Sequence, residues 1–206
     1  MELVQDRNHH EVTEADLAGV VSGTLTPESI QDLLLGLIAI KYTQSNSVGY
    51  AFGGQMIGIG AGQQSRVDCT KLAGAKADLW WLRMHPKVLE LHFKTGVKRQ
   101  DRINGRTRYI EGDLSPHEEQ WLVDALDSPY EPLRDDERSA WLKRMSGVSL
   151  VSDGFIPFRD NIEQASKHGV SYVAEPGGSV RETEVVDACR TSGITLVHTH
   201  LRLFHH

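Results

Sequence analysis

The chain has 206 residues, 39% of them apolar, with 22 Lys and Arg against 28 Asp and Glu and a net charge of −6. That is enough to bury a sizeable core in a single large domain or slightly more, and the acidic balance gives no overall pull toward nucleic acid or an anionic membrane. Cys69 and Cys189 stand far apart without a CxxC spacing, so a disulfide framework is not expected and a reducing cytoplasm fits better.

The polar, acidic start MELVQDRNHHEVTEADLAG has neither signal-peptide nor transit-peptide character. Residues 1–25 are expected to be an irregular lead-in with one short helix. A firm helix follows: Thr26 suits an N-cap, Pro27 the first helical position and Glu28 the positive end of the helix dipole. Ile30, Leu33, Leu34, Leu37 and Ile38 then recur at helical spacing toward an end near Tyr42. The longest apolar run, Leu33–Ile40, is too short to span a bilayer.

Ser47–Phe52 and Gln55–Gly60 flank Gly53-Gly54, a β-hairpin signal. Gly60-Ala61-Gly62 leads into a helix from about Gln63 to Arg83, before Pro86. The run over 92–108 is basic, carries few apolar residues and two glycines, and is expected to be an exposed connector or subunit contact. With little aromatic interleaving it makes a poor nucleic-acid patch. Helices are expected at 116–126 and 134–145. From Val148 the pattern alternates: strands Val148–Ser152, Val170–Ala174 and Ile194–His198, helices Phe158–His168 and Arg181–Ser192, with Gly169 and Gly193 where helix-ending glycines belong. Two βαβ units argue for a parallel sheet covered by helices, to which the hairpin can add antiparallel strands. The chain thus divides into a lead-in (1–25), a helix, hairpin and helical linking segment (26–147), and a C-terminal α/β unit (148–206).

Ligands of open α/β sheets bind beyond the carboxyl ends of the strands. Three polar, Gly/Pro-containing segments fall there: Ser152–Asn161, Glu175–Ser179 and the tail Thr199–His206. A pocket where they converge is the default site. Pro176-Gly177-Gly178-Ser179 suits either an anion or carbonyl at a helix N-terminus or an ordinary turn with Ser179 as N-cap. Phe155 and Phe158 suit stacking on a heterocycle or core packing. Arg66, near a helix start, suits a phosphate or carboxylate, or else an ion pair. His198, His200, His205 and His206 have no carboxylate or cysteine at ligand spacing, which argues against a metal. The HxE and PCxxC of zinc deaminases are absent, as are GxSxG, P-loop and HExxH motifs.

The blocks KYTQSNSV, IGIGAGQQSR, LAGAKADLWWLR, SDGFIPFRDNIEQA, PGGSVRETEV and terminal LRLFHH together resemble the transformylase part of the AICAR formyltransferase/IMP cyclohydrolase family, from about Thr26 to His206. The resemblance implies an α/β/α three-layer, cytidine-deaminase-like unit without zinc, corresponding to the C-terminal half of the transformylase region. It implies formyl transfer from 10-formyltetrahydrofolate to AICAR, giving FAICAR in IMP biosynthesis, by a homodimer whose sites draw on both subunits. Carried over by motif, Asn46 and Arg66 contact the nucleotide, reaching into the neighbouring subunit's site. Phe155 lies by the AICAR base and Arg202 binds the nucleotide. Val67, through its backbone, Asp160, with Asn161 beside it, Ser179 and Val180 lie at folate.

The catalytic Lys-His of that family, in a KHxNPxG-like block, has no counterpart: Lys167-His168 lacks the Asn-Pro that follows it there. No catalytic residue is therefore assigned. Three expectations stand: the C-terminal piece of an enzyme that needs a Lys-His-bearing half, favoured by a lead-in that begins in what would be mid-domain sequence; a non-catalytic nucleotide- or folate-binding module; and a transferase with a relocated base, His200 or His206.

Overall fold

In the computed structural model, residues 4–206 are described. The chain forms two compact units, one from the segment ending at Ala77 together with Ser146–His206, the other from Asp78–Met145.

The first unit is built on a six-stranded sheet in the order β1-β6-β5-β4-β2-β3. Its strands are β1 (Val20–Ser22), β2 (Ser47–Phe52), β3 (Gln55–Ala61), β4 (Val148–Ser152), β5 (Val170–Glu175) and β6 (Thr195–His198). β4, β5 and β6 are parallel, and the β2–β3 hairpin joins them through an antiparallel β2–β4 pairing. Helix α1 (Pro27–Ile40) begins as its sequence dictates: the Ser29 N–H donates to Thr26 Oγ1 at 3.2 Å and the Thr26 N–H to Ser29 Oγ at 2.8 Å. It stops two residues short of Tyr42. Buried Leu33, Leu37 and Ile40 pack on Val151, Ala174, Val197 and Leu203. Asp32 of α1 also accepts the N–H groups of Gly53 and Gly54, at 2.9 and 2.7 Å. Both glycines have positive φ, the conformation that a type I′ hairpin turn requires.

Helices α2 (Arg66–Leu82), α7 (Arg159–Ser166) and α8 (Glu182–Thr191) cover the opposite face. Tyr50 donates its hydroxyl to the Thr70 carbonyl of α2 at 3.2 Å. A Cβ at Gly58 or Gly60 would sit 2.1 Å from Ala73 O or 2.2 Å from Cys69 O, so these two glycines let α2 lie directly on β3. Thr70 Oγ1 of α2 donates to Asn161 Oδ1 of α7 at 3.3 Å, α7 packs on β5 and α8 on β6. A helix, sheet, helix order results, the three-layer α/β/α arrangement expected. Two elements lie outside the sequence expectations: β1, which pairs antiparallel with β6, and the short α3 (Pro86–Leu89). The short helix expected in the lead-in is a 3₁₀ turn over Glu14–Leu17.

In the second unit the end of α2 is followed by α3, α4 (Arg99–Glu111), α5 (Pro116–Ala125) and α6 (Asp135–Leu142). They enclose a core of Leu82, Val88, Leu91, Tyr109, Ile110 and Leu122 among others. Trp81 and Trp141 each donate Nε1–H to the other's carbonyl at 3.1 Å. The run over 92–108 is largely exposed as expected, but it is not a connector: most of it is α4, with Gly105 buried and Tyr109 and Ile110 buried just beyond it. The Arg106 guanidinium lies 5.2 Å from the Phe93 ring centre and donates to Leu91 O at 3.1 Å. A long arginine stem covers apolar surface, so a helix poor in apolar residues still packs.

Candidate functional site at the carboxyl edge of the sheet

The parallel strands β4, β5 and β6 end at one edge, and two buried carboxylates organise it. Asp153 follows β4 and is fully buried. Its Oδ2 accepts from the Ser45 hydroxyl and from the Ser47 N–H at 3.0 Å, and its Oδ1 is paired with Arg66 Nη1. Arg66, the first residue of α2, also donates from Nη1 to Ser152 Oγ at 2.9 Å and from Nη2 to Asn46 Oδ1 at 2.9 Å. Asn46 Nδ2 in turn donates to Gln63 O at 3.2 Å. Of the two sequence readings of Arg66, the ion pair exists, and it is buried rather than on the surface. Gly154 makes room for the arrangement: a Cβ there would lie 2.5 Å from Phe204 Cε1 and 2.6 Å from Arg66 Nη2.

Glu175 ends β5 and is 2% exposed. Its Oε2 accepts the Ile156 N–H of the preceding loop at 3.0 Å. His198, its register partner on β6, brings Nε2 to 3.1 Å from Oε1. That separation suits an ion pair, but the groups are out of line for a hydrogen bond, and Nε2 has none among the described residues. Burial pushes the Glu175 carboxyl above its ordinary value, and the nearby main-chain N–H groups and His198 offset only part of that push. Main-chain bonds complete the edge: Thr199 N–H donates to Glu175 O at 2.8 Å, His200 N–H to Pro176 O at 3.1 Å and Leu203 N–H to Asp153 O at 2.9 Å. The three loops that the sequence places beyond the strand ends do meet.

Asn46 and Arg66 are held together, and within their own chain. Phe155 is 37% exposed and Phe158 48%, so neither ring is core. Phe158 lies under the Arg181 guanidinium, 5.3 Å from ring centre to Cζ. Ser179 is not the α8 N-cap, a position taken by Arg181 without a side-chain bond. Its Oγ accepts the Arg181 N–H at 3.2 Å and approaches Pro157 O at 3.4 Å, joining its loop to the β4 loop. Val180 is wholly exposed. Asp160 lies in the first turn of α7, where its Oδ1 accepts from Asn161 Nδ2 at 2.8 Å. Val67 is the second residue of α2, and Arg202 stands exposed on the tail. His168 packs against Gly74 and the Tyr50 ring just before β5 begins. A strand of that length puts it about 17 Å from the carboxyl edge.

Sequence reasoning left Asp153 and Glu175 unassigned. Each follows or ends a strand beside a glycine-containing loop, which is the signal that marks them; their partners Arg66 and His198 are distant in sequence.

No described helix is long and apolar enough to cross a membrane. Residues 1–76 match the model of the AICARFT/IMPCHase bienzyme family, over a stretch that contains Asn46, Arg66 and Val67 but ends before the other candidate residues. Through β1, α1, the β2–β3 hairpin and the start of α2, the chain is therefore similar to the AICARFT/IMPCHase bienzyme family.

Proposed function

We propose that the chain is the part of a cytoplasmic AICAR transformylase that holds AICAR and 10-formyltetrahydrofolate for formyl transfer in IMP biosynthesis, as a homodimer, or together with a polypeptide bearing the Lys-His half. The observation that carries this reading is the tying of three strand-end loops at one sheet edge, beside buried Arg66 and half-buried Asn46. Asn46, Arg66, Phe155 and Arg202 take the nucleotide. Exposed Phe155 offers a ring face to a heterocycle, and exposed Arg202 offers a planar donor fork to phosphate or carboxamide oxygens. Val67, Asp160, Ser179 and Val180 take the folate.

In the reaction the AICAR amine bonds to the formyl carbon, the bond from that carbon to the folate nitrogen breaks, and a proton passes from the amine to that nitrogen. The amine is conjugated to the imidazole carboxamide and is a weak nucleophile. Proton transfer and oxyanion stabilisation are each worth orders of magnitude. The sequence has no Lys-His followed by Asn-Pro, so the role assigned to this chain is substrate holding.

The test is calorimetric titration of the purified chain with AICAR and with 10-formyltetrahydrofolate, followed by a formyl-transfer assay with and without a polypeptide carrying the Lys-His block. Binding, with turnover only when that polypeptide is added, is the expected result. Robust turnover by the chain alone sinks the assignment. Binding with no turnover under either condition favours a non-catalytic nucleotide or folate module.

A further inference from the structure

We propose that Glu175 is a positioning residue for this edge: its buried side chain and main chain clamp together the three loops that carry Phe155, Ser179 and Arg202. The inference rests on the proposed function for the identity of the ligands, but the clamp is visible without it. A single residue touches all three loops. Its Oε2 holds the Ile156 N–H, next to Phe155, at 3.0 Å. Its Oε1 lies 3.1 Å from His198 Nε2, the ring on which Gly177, two residues before Ser179, packs. Its carbonyl holds the Thr199 N–H at 2.8 Å, where the tail leaves β6.

Packing around the carboxylate is equally specific. Gly177 has φ +77°, and a Cβ there would lie 2.9 Å from the His198 ring. The loop is thus pressed flat on an imidazole whose Nε2 faces Glu175. At 2% exposure Glu175 touches no ligand itself. Nor is it interchangeable with an apolar residue, because an apolar side chain would leave the Ile156 N–H without its acceptor, and an unsatisfied buried donor is costly. A neutral amide, by contrast, keeps one oxygen for that donor and presents its NH₂ toward His198.

Glu175→Gln and Glu175→Leu test the inference, with residue-resolved hydrogen exchange and calorimetric binding of AICAR and 10-formyltetrahydrofolate as readouts. The leucine variant is expected to speed exchange at Ile156 and weaken both ligands by about tenfold or more, while α1 amides keep their protection. The glutamine variant is expected to restore both readouts to within about threefold of the parent. If Glu175→Leu does not fold, Glu175→Asp replaces it: a carboxylate one methylene shorter, which should still speed exchange at Ile156. Unchanged exchange at Ile156 overturns the clamp. Faster exchange with unchanged affinities overturns the positioning role. A parent chain that binds neither ligand overturns the proposed function, and the ligand class of this inference with it, while the exchange data still decide the clamp.

Discussion

Replacing Asp153 with alanine should be among the most damaging single changes at the candidate site. The carboxylate is fully buried and answers three groups: the Arg66 guanidinium, the Ser47 N–H and the Ser45 hydroxyl. Removing one partner of a buried ion pair costs about 3–5 kcal/mol, because the other charge is left uncompensated. The stranded Ser47 N–H overlaps with that penalty, so Asp153→Ala should cost about 4 kcal/mol, and Arg66→Met about 3 kcal/mol, since Asp153 then keeps two donors. In the double variant no charge is stranded, and its cost should fall short of the sum by about 2–3 kcal/mol. The assay must report on the right unit. Trp80, Trp81, Trp121 and Trp141 all lie within Asp78–Met145, whereas Cys69 and Cys189 lie in the first unit and are buried. Burial pushes the Cys189 thiol up to about 12 and raises the Cys69 thiol, so both resist labelling until the unit opens. Thiol labelling along a urea series therefore reads the equilibrium directly. A coupling below about 0.5 kcal/mol, the level expected of non-interacting sites, would refute the reasoning.

Further expectations use the same assay. Thr26→Ala removes the acceptor of the Ser29 N–H and should cost about 1 kcal/mol, with serine at position 26 restoring most of it. Gly58→Ala places a methyl 2.1 Å from the Ala73 carbonyl and should cost about 1–3 kcal/mol by forcing α2 off β3, whereas Gly54→Ala meets no atom and suffers only from its positive φ. Glu175 titrates higher in the folded chain than its ordinary value of 4.5, so the folded state holds that proton more tightly and the carboxylate costs stability once pH exceeds the folded pKa. Glu175→Gln should accordingly be more stable than the parent at neutral pH, with the advantage shrinking as pH falls toward 4.5; an advantage that grows on acidification contradicts the direction of the shift.

What could be read from the sequence was local. Thr26-Pro27 announces α1, Gly53-Gly54 announces the hairpin, and the strand and helix periods after Val148 announce the βαβ units, because each signal lies within a few residues of the structure it produces. β1 is three residues long and exists only because Gly19 lets its backbone meet β6, with a Cβ there 2.2 Å from His198 O. No window of sequence contains that partnership. Helix α4 escaped notice for a different reason: Arg106 does through its stem and its stacking on Phe93 what an apolar residue would ordinarily do. The same division holds at the site. The three strand-end loops and Arg66 stand out by composition, but Asp153 is 87 residues from Arg66, and Glu175 meets His198 only through the register of β5 and β6. Sheet register, not local pattern, decides both pairs.

That register also sharpens a question about the proposed homodimer. The resemblance sends Asn46 and Arg66 into a neighbour's site, yet Arg66 is bonded to the end of β4 in its own chain, close to Gly154 and Phe204, and Asn46 is bonded to Arg66. The two ideas are compatible: the bonds named here engage Nη1 and Nη2, and a guanidinium has five N–H donors in a fixed fork, which leaves an edge able to face a ligand while Asp153 anchors the other. Whether that ligand shares a subunit with Arg202 is decided by mixing variants. Arg66→Lys keeps a cation beside Asp153 but loses the planar fork; Arg202→Ala removes the other arginine. Each variant alone should bind AICAR poorly. If sites are shared across subunits, a mixed dimer contains one site with both arginines intact and one with neither, so refolding an equimolar mixture should restore about a quarter of all sites. If each site is built from one chain, every site in the mixed dimer keeps one defect and mixing restores none. Calorimetric stoichiometry distinguishes the two, and zero recovery would locate Arg66 and Arg202 in one site of one chain.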